Sequence, residues 1–318
     1  MQKSRDRMNE KIWQIKEQVK KAISGKDDVV DKVMMVILAG GHILLEDVPG
    51  VGKTTLALAF SKAMGLAFSR VQFTPDVVPS DITGFTMYDK NSGKFYYKPG
   101  SAMCNFFLAD EINRTSSKTQ SALLEVMQEG KMTVDGEVHH VPQPFIVIAT
   151  QNPLGTAGTQ KLPEAQLDRF MVQLEMGYPD TEAQLRMLAN REKTDPLNEI
   201  EPVINAEGLV AMKKEAASVY TDVKIYRYIT ELTEMTRNNE YFRLGLSPRA
   251  ALAISSLARA DAYTKGRDYV IPQDVREVFT DSARHRVLPG AKAQVENRSV
   301  SDLLGAVLKS VPEPMAGS

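Results

Sequence analysis

The stretch that decides the fold runs from His42 to Leu56 and reads HILLEDVPGVGKTTL. It starts with a short apolar run of strand length, passes through a loop with proline and glycine, and continues into a helical run. A strand, a Gly-Lys-Thr loop and a helix in this order are typical of a phosphate-binding loop, or P-loop. The context favours this interpretation over a chance Gly-Lys-Thr in an ordinary loop.

Each position of this loop has a physical role. Gly50 and Gly52 let the backbone turn so that N–H groups face phosphate oxygens, and the new helix adds its positive N-terminal end. Lys53 is a mobile charge for the β- and γ-phosphates, and the Thr54 hydroxyl is a hard oxygen ligand suited to Mg²⁺. The predicted ATP-binding residues are Val48, Pro49, Gly50, Val51, Gly52, Lys53, Thr54 and Thr55. The general pattern starts with glycine where this chain has Asp47, and we expect that change to be tolerated at the strand exit.

Two carboxylates and an amide follow other apolar strand candidates. Asp110 and Glu111 end the run that starts at Phe106, and beside a P-loop they fit the second half of an NTPase site. Asp110 would orient Mg²⁺ and its waters, and Glu111 would polarise the attacking water as a general base. An ordinary strand terminus is the alternative. Asn152, after the run IVIAT, is predicted to hold the water or the γ-phosphate, although an Asn before Pro153 is also good turn chemistry.

Two arginines are candidate phosphate contacts. Arg169 is either a surface partner of Asp168 or an arginine finger that reaches into a neighbouring subunit, and spacing alone does not choose between them. Arg249 follows Ser247 and Pro248, which start a helix as N-cap and first-turn residue. Because a helix N-terminus disfavours a cation, a bound anion would explain Arg249, and a solvated ion pair is the alternative.

The rest of the chain predicts an α/β fold. Strands alternate with helices up to about Gly177, and the apolar run from Pro144 to Thr150 lacks polar alternation, so both its faces are expected to be buried in a parallel sheet. Beyond the boundary near Tyr178 the pattern predicts helices only. These helical runs cover about 181–193, 206–219, 222–238, 248–264 and 273–284.

Composition excludes several function classes. The 318 residues have a formal net charge of −1 and 43% hydrophobic residues, values of a globular chain without the basic footprint of a nucleic-acid partner. The single cysteine, Cys104, cannot form an internal disulfide, and no Cys/His cluster has metal-ligand spacing. No apolar run is long enough to span a bilayer, and MQKSRDRMNEKIW predicts no signal peptide, so we expect a cytoplasmic protein.

These motifs together resemble the MoxR family of AAA+ ATPases, over nearly the whole chain. The resemblance rests on their shared order over about 200 residues. The motifs are LLEDVPGVGKTTLA (44–57), QFTPDVVPSDITG (72–84), LADEINR and KTQSALLEVMQEG (108–130), IATQNP (148–153), LPEAQLDRF (162–170) and LSPRA (246–250).

The resemblance implies a fold and a role for each residue. It implies an αβα ATPase core over 1–178 and an all-helical lid over 179–318, with ATP between them. Lys53 and Thr54 match Walker A, Asp110 and Glu111 match Walker B, Asn152 matches sensor 1, Arg169 matches the arginine finger, and Arg249 matches sensor 2; Arg114 is a possible interface residue. Two inserts also match: a helix-2 insert hairpin over about 85–99 and a hairpin before sensor 1 over about 131–142.

The family likeness favours one function and leaves others open. It implies a hexameric ring that hydrolyses ATP to remodel, assemble or mature partner protein complexes, often with a von Willebrand A-domain partner. The alternative is a nucleic-acid-associated AAA+ motor, which the near-zero charge and the lack of an appended DNA-binding domain make a weaker hypothesis. A P-loop kinase or GTPase fits poorly, because the chain has no Asn-Lys-x-Asp signature and has a long helical lid.

Overall fold

The computed structural model describes residues 2–152, 162–191 and 195–314. A five-stranded parallel sheet lies at its centre, made of β1 (Ile43–Glu46), β2 (Phe68–Gln72), β5 (Phe106–Asp110), β8 (Ile146–Gln151) and β9 (Val172–Leu174). The strand order in this sheet is β2-β5-β8-β1-β9.

Both faces of this sheet are covered, as the continuous apolar runs predict. Ile43, Leu45 and Leu108 point into one hydrophobic core, and Leu44 and Phe107 point into a second core on the opposite face. Successive side chains of a strand point to opposite faces, so a strand between two cores needs apolar residues at every position. The αβα class is therefore confirmed.

The helices of the core surround the sheet, and two hairpins project from it. The helices are α1 (Gln2–Ala22), α2 (Asp27–Ala39), α3 (Lys53–Ala63), α4 (Pro79–Thr83), α5 (Ser117–Glu129) and α6 (Glu164–Leu167). The hairpins are β3 (Gly84–Asp89) with β4 (Lys94–Pro99), and β6 (Lys131–Val134) with β7 (Glu137–His140). Both hairpins form where the sequence predicts them.

The region after Tyr178 is helical, with one addition to the prediction. Its helices are α7 (Thr181–Arg191), α8 (Ala206–Ala217), α9 (Val223–Arg237), α10 (Pro248–Thr264), α11 (Pro272–Ala283), α12 (Ala291–Val295) and α13 (Val300–Ser310). A short antiparallel pair, β10 (Phe242–Leu244) with β11 (Leu288–Pro289), means that the lid is not all-helical. The last two residues of the helix predicted over 181–193 lie outside the described residues.

The lid packs directly on the core. Helix α10 contacts α2, and α11 contacts β9 at the edge of the sheet. Among the described residues no helix combines the length and the apolar character that crossing a membrane requires.

Candidate nucleotide-binding and hydrolysis site

The P-loop connects the end of β1 to the start of α3. Gly50 and Gly52 have φ angles of 87° and 99°, in the left-handed region that residues with a Cβ rarely adopt. Gly52 is the N-cap of α3, and its carbonyl accepts a hydrogen bond from Leu56 N at 2.9 Å. The glycines therefore occur where the backbone must turn sharply before the helix.

Lys53 is held inside this loop. Its side chain is 8% exposed, and Nζ donates a hydrogen bond to the Asp47 carbonyl at 2.7 Å. Burial lowers the pKa of Lys53, and the nearby charges of Asp47, Asp110 and Glu111 oppose that shift. The ammonium is thus a preplaced cation surrounded by loop carbonyls and carboxylates.

Asp47, which replaces the first glycine of the general pattern, joins the loop to the end of the sheet. One carboxylate oxygen accepts from Val48 N at 2.8 Å. The other accepts from Met176 N at 2.7 Å and from Gly177 N at 2.5 Å. An ionised acceptor strengthens such bonds, so the aspartate fixes the P-loop against the segment that leads into the lid.

Asp110 lies at the end of β5, buried between two donors. Thr150 Oγ1, from β8, donates to Asp110 Oδ1 at 2.7 Å. Arg70 from β2 contacts Oδ2 through Nη2 at 2.7 Å and Nε at 3.2 Å. The three residues come from three neighbouring strands, so the sheet itself fixes the position of the carboxylate.

Glu111 turns away from Asp110 because its backbone is left-handed, with φ 56° and ψ 49°. Asn152 Nδ2 donates to Glu111 Oε1 at 2.9 Å, and Gln72 Nε2 and Arg114 Nη1 donate to Oε2 at 2.9 and 2.7 Å. Burial opposes ionisation, but the hydrogen bonds from Arg114 and Asn152 and the Arg114 charge outweigh it, so the pKa of Glu111 lies below its usual value. The carboxylate is therefore ionised at neutral pH and able to accept a proton.

These groups line one cavity of about 740 Å³. It contains Pro49, Gly50, Val51, Gly52, Lys53, Thr54, Thr55, Asp110, Glu111 and Asn152, while Val48 takes part through the carbonyl near Lys53. Met187 of α7 and the turn at 195–197 border it from the lid side. The volume lies in the range of small-molecule sites. The Thr54 hydroxyl and the Asp110 carboxylate fit Mg²⁺, which takes one or two protein oxygens beside phosphates and waters.

Arg169 and Arg249 lie together in a different place. Both line a second cavity of about 270 Å³ with Gly41, Leu252 and Arg286. Over residues 2–152, 162–191 and 195–314, neither guanidinium has a hydrogen bond or an ion pair. Neither arginine is among the residues that line the P-loop cavity. The two predicted phosphate contacts therefore form a pair of their own, apart from the Lys53 site of the same chain.

Sequence reasoning missed three residues of the site: Arg70, Gln72 and Thr150. Arg70 and Gln72 are polar residues two apart on one strand, a spacing that places them on the same face. That alternation was the available signal. Their partners, Asp110 at the end of β5 and Glu111 directly after it, could not be identified from this alternation, because the order of strands in the sheet is a tertiary property.

The fold and the site define a P-loop ATPase of the AAA+ class. A family model described as "ATPase family associated with various cellular activities (AAA)" matches residues 42–172, and a model of the AAA lid domain matches residues 234–305. The structure of a protein from Cytophaga hutchinsonii superposes with a TM-score of 0.90 at 34% identity, covering 98% of each chain.

Proteins of similar sequence identify the family within the AAA+ class. The uncharacterized protein YeaC of Bacillus subtilis is 43% identical over 95% of this chain and 94% of its own. The chaperone MoxR1 of Mycobacterium tuberculosis is 39% identical over 95% of this chain and 82% of its own. The protein MoxR of Methylorubrum extorquens is 29% identical, over 93% of each chain. The chain belongs to the MoxR family of AAA+ ATPases.

Proposed function

We propose that this chain hydrolyses ATP to ADP and phosphate at the cavity lined by Lys53, Asp110 and Glu111. The observation that carries the proposal is the Glu111 carboxylate, which is held by Asn152 at 2.9 Å in the same cavity as the P-loop. A base, a cation and a phosphate-binding loop that face one space are the parts that phosphoryl transfer to water requires.

Each residue has a defined task in that reaction. The N–H groups of the P-loop and Lys53 bind the phosphates, and Asn152 orients the water and the base. Glu111 accepts a proton from the water as its oxygen bonds to the γ-phosphorus and the bridging oxygen leaves with ADP. Thr54 and Asp110 would hold Mg²⁺, which when bound neutralises charge on the phosphates.

Replacement of Glu111 by Gln tests the assignment of the base. The Glu111→Gln variant is expected to bind ATP as the wild type does and to lose at least 100-fold in turnover, because only the proton acceptor is removed. Glu125→Gln, an exposed glutamate of α5, is the matched control and should hydrolyse ATP normally. Turnover near the wild-type rate in Glu111→Gln would assign the base to another residue.

We further propose that the chain acts as a homo-oligomer, a hexameric ring, in which Arg169 and Arg249 reach the ATP of a neighbouring subunit. Their place outside the P-loop cavity of their own chain supports action in trans. An arginine supplied in this way stabilises charge on the γ-phosphate and accelerates hydrolysis by about 10³–10⁵-fold. Members of the AAA+ and MoxR family are generally oligomeric, which supports a site that a neighbouring subunit completes.

Mixed rings test this arrangement. Arg169→Ala retains Lys53 and Glu111 but lacks the finger, and Glu111→Gln lacks the base but retains Arg169. A mixture should show more turnover than either variant alone. Where the active site of an Arg169→Ala subunit meets a Glu111→Gln neighbour, Lys53 and Glu111 come from the first subunit and Arg169 from the second, so that interface has every group. Activity should also fall on dilution as rings dissociate. If subunits exchange and no activity returns, Arg169 does not act in trans.

We propose that the energy of hydrolysis remodels a protein client, with a von Willebrand A-domain protein as partner. The relative named as a chaperone supports a protein client, as do the exposed aromatic side chains of the β3–β4 hairpin, and the von Willebrand A-domain partner rests on the family resemblance alone. These are Phe85, Tyr88, Phe95 and Tyr96, which are between 41% and 73% exposed. Such a surface is suited to contact with an apolar polypeptide.

Trapping in ATP distinguishes this client from a nucleic acid. Glu111→Gln loaded with ATP should retain a von Willebrand A-domain protein, and Lys53→Ala, which is expected not to load ATP, should not. DNA-stimulated hydrolysis that weakens steeply with salt would instead support the nucleic-acid motor, because phosphate contacts release counterions.

A further inference from the structure

Arg286, which follows α11 in the lid, is a buried arginine that the hydrolysis reaction does not use. Its side chain is 2% exposed and contacts the segment that carries Arg169. Nη2 donates to the carbonyls of Phe170 at 2.7 Å and Asp168 at 3.2 Å, and Nη1 donates to the Met171 carbonyl at 3.2 Å. One guanidinium therefore binds three carbonyls of a four-residue stretch that includes Arg169.

The positive charge of Arg286 is paired with a carboxylate of the same four-residue stretch. Nε lies 2.8 Å from Asp168 Oδ1, and the two groups form an ion pair although the N–H is not aligned for a hydrogen bond. Burial lowers the pKa of Arg286 to about 10, with Asp168 opposing that shift, so the guanidinium is charged at neutral pH. A paired arginine with several carbonyl acceptors is a specific clamp, because its planar fork fixes direction as well as distance.

Asp168 extends this clamp to the helix that carries Arg249. Ser247 Oγ donates to the Asp168 carboxylate, at 3.2 Å from Oδ1 and 3.1 Å from Oδ2. Ser247 is also the N-cap of α10, where its oxygen accepts from Ala250 N at 3.2 Å. Arg249 lies in the first turn of that helix. The backbone bearing Arg169 and the turn bearing Arg249 are thus fixed to one another through Asp168.

We propose that Arg286 is a positioning residue, which through Asp168 and Ser247 sets Arg169 and Arg249 at the angle needed to reach a neighbouring subunit's γ-phosphate. This inference rests on the proposed action of Arg169 in trans. The two arginine side chains have no hydrogen bond in the part of the chain that the structure describes. The position of each guanidinium therefore depends on the backbone from which its side chain extends. A misplacement of about 1 Å in such a group costs about 100-fold in rate.

Arg286→Lys tests the clamp, because lysine retains the charge beside Asp168 but lacks the planar fork. The turnover number should fall about 100-fold, with the KM for ATP unchanged, since the P-loop of each subunit is untouched. Arg284→Lys is the matched control: Arg284 lies at the same end of α11 and forms an ion pair with the exposed Glu175, and its replacement should leave turnover unchanged. An unchanged turnover number in Arg286→Lys would overturn the proposal.

A double-mutant cycle separates positioning from general damage to the fold. In an Arg169→Ala, Arg249→Ala background, Arg286→Lys should cause no further loss, because the groups that it positions are absent. If Arg286→Lys lowers turnover in that background by the same factor as in the wild type, the inference is overturned. If Arg286→Lys does not fold, Asp168→Asn is measured by the same two criteria. A wild-type rate in Arg169→Ala alone would instead refute the finger, which is a failure of the proposed function itself.

Discussion

Asp110 and Glu111 are adjacent in the sequence, but the fold gives them separate tasks. Asp110 ends a strand and lies between Thr150 and Arg70. Glu111 has a left-handed backbone, which directs its carboxylate towards Asn152 and Arg114. A non-glycine residue in that region carries strain that its surroundings must offset. The strain therefore occurs at the residue that we propose as the general base.

The Lys53 ammonium is the cation held within the P-loop itself, 2.7 Å from the Asp47 carbonyl. Lys53→Ala should lower ATP affinity at least 100-fold, because it removes a charge-assisted contact to the phosphates from a buried position. Equilibrium binding of a fluorescent ATP analogue measures the change. Lys118→Ala replaces an exposed lysine in the first turn of α5 and should bind ATP as the wild type does. Retained affinity in Lys53→Ala would refute the P-loop assignment.

Among the secondary-structure elements, two helices have the same N-cap but different surroundings. Ser247 caps α10 and also binds Asp168, whereas Ser299 caps α13 and accepts from Asp302 N at 3.1 Å. Replacement of either serine by alanine should lower the free energy of unfolding by about 1 kcal/mol. Only Ser247→Ala should also lower ATP turnover, because only this cap is joined to the segment that carries Arg169.

Urea denaturation and steady-state turnover, measured on both variants, check this difference. Equal turnover in the two variants would mean that Ser247 is a helix cap and nothing more. A fall in turnover for Ser299→Ala would show that loss of stability alone slows the enzyme.

The sequence predicts most elements because their signals are local. The strands β1, β5 and β8 are unbroken apolar runs, and turn residues such as Asp135 and Gly136 mark the hairpins. Strand β9, with only three residues, gives no periodic signal, although it forms the edge of the sheet that meets the lid. A strand could be predicted where it was long enough to show a sequence pattern, whatever its position in the sheet.

The residues of the candidate site also fall into two groups, those that the sequence predicts and those that it does not. Lys53, Asp110 and Glu111 lie in contiguous motifs and could be named from the sequence. Arg70 and Arg286 could not, because their partners lie 40 and 118 residues away along the chain. Their roles depend on strand order and on how the lid meets the core, which local patterns do not encode.

At the scale of the whole molecule, two histidines lie where elements meet: His42 is half-buried and His285 is buried. His42 lies next to β1, where Nδ1 accepts from Val147 N at 3.1 Å and Nε2 contacts the Met127 carbonyl at 3.0 Å. His285 joins the lid to the core, with Nε2 3.0 Å from the Phe170 carbonyl. Burial lowers the pKa of His42 to about 4 and that of His285 to about 3, the latter helped by the charge of Arg286. Both rings are neutral in the folded protein at pH 7.

These two shifts make the folded state sensitive to acid. In the unfolded chain a histidine takes up a proton near pH 6.5, well before the folded protein does. The unfolded state therefore binds more protons below that pH, and the free energy of unfolding falls as the pH drops from 6.5 towards 4. Each histidine lowers the free energy of unfolding by at most about 1.4 kcal/mol per pH unit in this range, because water that reaches the ring reduces the pKa shift.

His285→Gln should reduce this sensitivity, because the glutamine amide can still donate to the Phe170 carbonyl and does not titrate. Between pH 7.5 and pH 5.5 its free energy of unfolding should fall by about 1.4 kcal/mol less than that of the wild type. Urea titrations at the two pH values measure the difference, and His140→Gln, at an exposed position of β7, should behave as the wild type. If His285→Gln and the wild type lose the same stability, then His285 takes up its proton in the folded protein, and the contact between lid and core at Phe170 is open to water at pH 5.5.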